Sequence, residues 1–117
     1  MGETMNTSAA IQREAAALAV ARLEARVNST EARCARSSVS PDEWFPLTAD
    51  PVKARRHAQR ALAVCAVCPV RAECLELSLR LWEGSGHHGI WGGTLETERQ
   101  ALRRQWLAGA TVATLLR

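Results

Sequence analysis

The residues best suited to chemistry in this 117-residue sequence are its four cysteines, Cys34, Cys65, Cys68 and Cys74. They form one C-x2-C-x5-C run and one distant upstream thiol. Thiolates are soft, charged ligands that select zinc, cuprous copper or iron-sulfur clusters, and a set of four completes one zinc ion or one cubane cluster. Zinc held by cysteines alone usually pairs two C-x2-C knuckles. Only one knuckle is present here, and Pro69 follows Cys68 directly, so the spacing leans toward a cluster and leaves zinc open. His57, His87 and His88 are spare ligands, but four thiolates suffice without them. No catalytic constellation competes with this quartet, and the chain is read as a non-enzyme.

The elements that must carry these thiols are helical. Apolar content is 47%, much of it alanine, with four Trp, one Phe and no Tyr, so the core must be thin. Small domains of this kind usually need a staple, and the cysteines supply one through metal or through disulfides. The N-terminus lacks the basic start, apolar run and cleavage site of a signal peptide, and no stretch approaches the roughly 20 apolar residues of a membrane span. A cytoplasmic protein is therefore predicted, and reduced thiols there favour metal over disulfide.

Met1 to Asn6 reads as a loose tail, and the Ala-rich stretch from Ser8 to Val27 as a helix. Asn28 to Thr30 break it before Cys34. The Ser/Pro-rich segment from Ala35 to Ala49 reads as a loop whose apolar exceptions, Trp44 and Phe45, are either a lid on the core or a docking surface. Asp50 and Pro51 supply an N-cap and a first-turn proline, after which Ala54, Ala58, Ala61 and Cys65 recur on one inward stripe. Pro69 is placed at the start of the next helix, whose stripe Val70, Cys74, Leu77 and Leu81 turns Cys74 inward. Two helix ends thus hold three thiols together, and a loop must deliver Cys34.

Five glycines between Gly84 and Gly93 demand a turn, within which Ile90 and Trp91 carry large apolar area. Thr94 is predicted to cap a helix running to about Leu107, buried along Leu95, Leu102 and Trp106. The formal charge is +3, and its basic residues gather as Lys53, Arg55, Arg56 and Arg60, then as Arg99, Arg103 and Arg104. Either cluster can neutralise phosphates without reading sequence, and the first reads equally well as a solvated helix face.

Cys34, Trp44-Phe45-Pro46, Cys65-Ala-Val-Cys68-Pro-Val-Arg-Ala-Glu-Cys74-Leu75, Gly89-Ile-Trp-Gly-Gly93 and Glu98-Arg99 occur in this order, and together they resemble the WhiB-like family of actinobacteria and their phages. The resemblance covers roughly residues 30 to 106. It implies a 4Fe-4S cluster on Cys34, Cys65, Cys68 and Cys74, sensitive to oxygen and nitric oxide, in a transcription regulator that binds region 4 of the principal sigma factor. It further implies a sigma-facing surface of Trp44, Phe45, Pro46, Gly89, Ile90, Trp91, Gly92 and Gly93, with Arg99, Arg103 and Arg104 touching promoter DNA. Two departures stand out. Many members carry two Phe at Trp44-Phe45, and the C-terminal region here has no dense basic run and no Arg-Gly-Arg sequence.

The resulting expectation is an all-α single domain of about four short helices organised around an iron-sulfur cluster. It divides into an Ala-rich extension (1–30), a cluster-binding core with the glycine-tryptophan turn (31–93) and a basic helical region (94–117). The last stretch, Trp106 to Leu116, reads as a packing or dimer-contact helix. No membrane and no small-molecule substrate are expected. The competing classes are a thiol-disulfide oxidoreductase using Cys65 and Cys68, against which the absence of any βαβ pattern weighs, and a structural zinc-binding interaction domain.

Overall fold

Alanine-rich stretches, cap residues and one glycine turn dictate the architecture. The computed structural model describes residues 2–117, and among them are α1 (Gly2–Val27), α2 (Pro51–His57), α3 (Gln59–Ala66), α4 (Arg71–Arg80), α5 (Glu96–Leu107) and α6 (Val112–Leu115). Three 3₁₀ turns, Arg33–Arg36, Pro41–Trp44 and Ser85–His87, link them. No strand occurs among the described residues, where the only pairing of β type is an isolated bridge between Trp91 and Thr94. The all-α expectation holds, with six helices in place of about four. Among the described residues no helix is long and apolar enough to cross a membrane.

The differences have local causes. Helix α1 starts at Gly2, so residues 2–6 of the segment expected to be a tail continue the helix, and Met1 lies outside the described residues. The single helix expected after Asp50 is two segments meeting at Ala58, where φ is −90° and ψ is 4°. Hydrogen bonds of i to i−4 type nevertheless run through the junction, from Ala58 N–H to Ala54 and from Leu62 N–H to Ala58. The Asp50 carboxylate caps α2 as predicted, accepting from the N–H groups of Val52 and Lys53 at 2.9 and 3.2 Å. Helix α4 begins at Arg71, after Pro69 and Val70. Thr94 is not the cap of α5. Leu95 takes that position, because the Thr94 hydroxyl donates back to the Trp91 carbonyl at 2.7 Å.

Burial is concentrated in two small apolar clusters. Ala54, Ala58 and Leu95, with Leu62 and Ile90 against them, join α2 and α3 to the start of α5. Leu75, Leu79 and Val112, covered by Leu102, Trp106, Leu115 and Leu116, join α4 to α5 and α6. The stretch Trp106 to Leu116 is therefore a packing element as expected, but it is the end of α5, a turn and α6 in place of one helix. Helix α1 lies along α4 and is tied there by Arg26, which pairs with Glu73 at 3.2 Å and, locally, with Glu31 just after the helix at 2.9 Å.

Leu75 is fully buried and has no solvent side onto which it can collapse. Leu75→Ala is expected to lower the unfolding free energy by about 2–5 kcal/mol, whereas Leu107→Ala, at a side chain 60% exposed, should stay within about 0.5 kcal/mol. Chemical denaturation followed by circular dichroism checks both.

Candidate metal centre

The four cysteines, far apart in sequence, line one cavity of about 520 Å3. Cys65 comes from the last turn of α3, Cys68 from the connection to α4, Cys74 from the first turns of α4 and Cys34 from the 3₁₀ turn after α1. All four are free thiols. The inward stripes place Cys65 and Cys74 as the sequence predicts, and the loop delivers Cys34. Backbone donors face the sulfurs: the Gly92 N–H donates to Cys74 Sγ at 3.2 Å and the Arg33 N–H to Cys68 Sγ at 3.5 Å. Burial pushes the Cys65 thiol up and the Cys74 thiol up to about 12, against the opposing pull of the Gly93 and Gly92 amides. Ionising these two thiols together therefore calls for positive charge inside the cavity. Among the described residues no three Cys, His, Asp or Glu side chains are gathered closely enough to hold one metal ion.

The glycine turn closes the cavity. Gly89 and Gly92 have φ of +72° and +57°, conformations that L side chains rarely adopt. A Cβ on Gly92 would sit 2.8 Å from the Arg71 carbonyl oxygen and from Leu75 Cβ, and one on Gly89 would sit 2.6 Å from Phe45 Cε1. The turn therefore presses on α4 from one side and on the aromatic loop from the other. The Ile90 N–H donates to the Trp44 carbonyl at 3.0 Å, and Arg71 Nε donates to the Gly92 carbonyl at 3.0 Å. Trp44, Phe45, Gly89, Ile90, Trp91 and Gly92 line the same cavity as the cysteines. Pro46 and Gly93 lie just outside it, Pro46 lining a smaller cavity beside α5. The Trp91 indole is fixed by donating to the His88 carbonyl at 2.7 Å, and Phe45 remains 57% exposed.

Arg99 holds the turn from behind. Its side chain is fully buried, with Nη1 donating to the Thr94 carbonyl at 2.6 Å, and Nη2 donating to the Gly89 and His87 carbonyls at 2.6 and 3.2 Å. Burial lowers its pKa to about 10, so the guanidinium remains charged at neutral pH. Nε has no partner among the described residues. Ser78, also fully buried, pins the other end of the segment by donating to the Gly86 carbonyl at 2.5 Å.

A family model described as "Transcription factor WhiB" matches residues 29–102, a span that contains all four cysteines and the glycine turn. The chain belongs to the WhiB family of transcription factors. It is 39% identical over 66 residues to the transcriptional regulator WhiB1 of Mycobacterium tuberculosis H37Rv, covering 56% of this chain and 73% of that protein. It is 38% identical over 73 residues to WhiB of Streptomyces coelicolor, covering 62% and 71%. WhiB1 of Bifidobacterium longum is 34% identical over 74 residues, covering 63% and 76%. No solved structure matches the chain.

Within this WhiB-family chain the three arginines predicted to meet DNA fall in three different environments. Arg99 offers no surface to a phosphate, because its guanidinium is consumed inside the turn. Arg103 is half-buried, its guanidinium carbon 5.4 Å from the centre of the Trp82 ring and its Nε without a hydrogen-bond partner. Only Arg104 is exposed. Sequence reasoning missed the clamp, though the signal was present: Leu95, Arg99, Leu102 and Trp106 share the i, i+4, i+7, i+11 spacing of an inward stripe.

Arg99→Ala would strand the carbonyls of His87, Gly89 and Thr94 and leave a cavity behind them. It is expected to cost about 1–3 kcal/mol or more, while Arg104→Ala changes stability by less than about 0.5 kcal/mol. Urea denaturation monitored by tryptophan fluorescence checks the contrast.

Proposed function

We propose that this WhiB-family regulator holds a 4Fe-4S cluster on Cys34, Cys65, Cys68 and Cys74 and docks region 4 of the principal sigma factor through the surface built by Trp44, Phe45, Pro46 and the Gly89–Gly93 turn. The observation that carries this reading is the convergence of four free thiols, the aromatic loop and the tryptophan turn on one cavity. The donor set fits the cluster. Four free thiols line one cavity, the number that a cubane cluster takes, and two of them accept backbone N–H bonds of the kind that tune cluster potentials. When bound, such a cluster supplies one-electron chemistry and reactivity toward oxygen and nitric oxide.

The chain's own residues do the rest. The α3–α4 junction and the turn of Arg33–Arg36 position the sulfurs, the Gly92 N–H points a positive dipole at Cys74, and Ile90 ties the aromatic loop to the turn. Loss of the cluster would remove the tie between the Cys34 loop and α3–α4, loosening the apolar surface that carries Phe45 and Trp91. Metal-thiolate binding contributes folding free energy on the order of 10 kcal/mol in small zinc domains, which is large beside the thin core described above. The reading includes a cytoplasmic location, a non-enzymatic role and a cluster-binding unit spanning residues 31–93. The oxidoreductase reading fits less well, because Cys65 is buried with a raised pKa and an attacking thiol needs to be an exposed thiolate.

Anaerobic co-expression with sigma region 4 tests cofactor and partner together. Brown protein with about four irons per chain that co-purifies with the sigma domain is expected. Colourless protein with stoichiometric zinc would overturn the cluster assignment.

Replacement of Trp91 by Ala removes a side chain expected to anchor the partner, so it should weaken sigma binding by at least about 2 kcal/mol, some thirtyfold, and leave the visible absorption unchanged. Cys74→Ser should abolish both signals. Iron assay and pull-down on the two variants separate the roles.

A further inference from the structure

The cations of this chain are not where its family role would first place them. With Arg99 buried and Arg103 stacked on Trp82, the predicted C-terminal cluster leaves only Arg104 facing solvent. The α2–α3 segment is different. Ala54, Ala58, Ala61 and Cys65 form its buried stripe, and Lys53, Arg56, His57 and Arg60, at i, i+3, i+4 and i+7, form an exposed row on another face. Lys53, Arg56 and His57 lie on α2 and Arg60 on the first turn of α3, and the two segments are joined by the bonds from Ala58 N–H to Ala54 and from Leu62 N–H to Ala58.

The neighbouring carboxylates leave most of this row unneutralised. Arg55 lies outside the row and pairs with Glu98 at 2.5 Å. Arg60 approaches Glu43 at 3.6 Å with its side chain still 65% exposed. The Asp50 carboxylate is engaged by the amides of the first turn of α2. Among the described residues Lys53 and Arg56 form no ion pair.

From this row we infer that the outer face of α2–α3 is a second contact surface, one that binds the phosphate backbone of duplex DNA. The inference rests on the reading that the protein works at promoters and adds the face by which it meets them. Lys53 and Arg60 are seven residues apart, so the row is about 10 Å long at 1.5 Å per residue. Lys53, Arg56 and Arg60 are three cations on long side chains, so the row can neutralise up to about three phosphates. Such contacts carry no base sequence. They orient the bound regulator along the duplex.

The test is fluorescence anisotropy of a labelled mixed-sequence duplex with the anaerobically purified full chain, titrated between about 50 and 200 mM salt. Three contacts give a slope of log K against log salt of about −2.7, or about a 40-fold loss over that range. Lys53→Gln/Arg56→Gln/Arg60→Gln should remove most of this slope. Lys53→Gln/Arg56→Gln, which spares the Arg60–Glu43 pair, should remove about two thirds of it, and Arg104→Gln at most about one contact's share, about 0.9.

A triple variant that binds duplex with the wild-type slope overturns the inference, as does wild-type protein that fails to bind at the lowest salt. Charge-dependent binding to anionic phospholipid vesicles without binding to duplex also overturns it. Visible absorption and sigma co-purification are read on the same samples. Their loss in the wild-type protein would sink the cluster-and-sigma reading by itself, while the duplex titration still decides the α2–α3 face.

Discussion

A buried positive charge that forms no salt bridge among the described residues is the constraint on which the turn and the cavity depend. Arg99 is completely shielded from water, and a buried guanidinium is tolerable only when its donors find acceptors. The acceptors are the carbonyls of His87, Gly89 and Thr94, brought around one side chain by a backbone that visits the left-handed region at Gly89, Gly92 and Gly93. Much else follows from that closure. With the turn held, the Gly92 amide meets Cys74, the Ile90 amide meets the Trp44 carbonyl, and Phe45 lies against the bare α-carbon of Gly89. The aromatic loop and the thiol cavity are neighbours because one turn touches both.

Sequence patterns of short range were readable because their causes are local. The Asp50 cap, the proline after it, and the stripes that turn Cys65 and Cys74 inward follow from helix periodicity alone. The gathering of all four thiols around one cavity was likewise legible, since three of them sit at a single helix junction. Features set by tertiary contact were not. The hydroxyl of Thr94 was expected to cap α5, but it is used by the turn. Arg99 looked like a surface cation because charge was weighed and its place on the buried stripe was not. The break at Ala58 leaves no mark in a run of good helix formers.

The thin core is shared between two clusters that meet through α5, whose first residues pack on α2–α3 and whose later residues pack on α4 and α6. The first cluster holds three large apolar side chains, Leu62, Ile90 and Leu95, and the second holds seven. The stretch matched by the WhiB family model, residues 29–102, contributes residues to both clusters.

Helix α1 has a mechanical consequence. Its 26 residues span about 39 Å at 1.5 Å per residue, and an ion pair from Arg26, near one end, to Glu73 anchors it on α4. The radius of gyration is 15.9 Å, against about 13 Å for a compact chain of this length. With extents of 55 × 31 × 24 Å, the particle is a ball with a boom, and its hydrodynamic drag follows the boom. On a sizing column calibrated with spheres the monomer elutes early, so an apparent mass above 12.8 kDa is no sign of self-association.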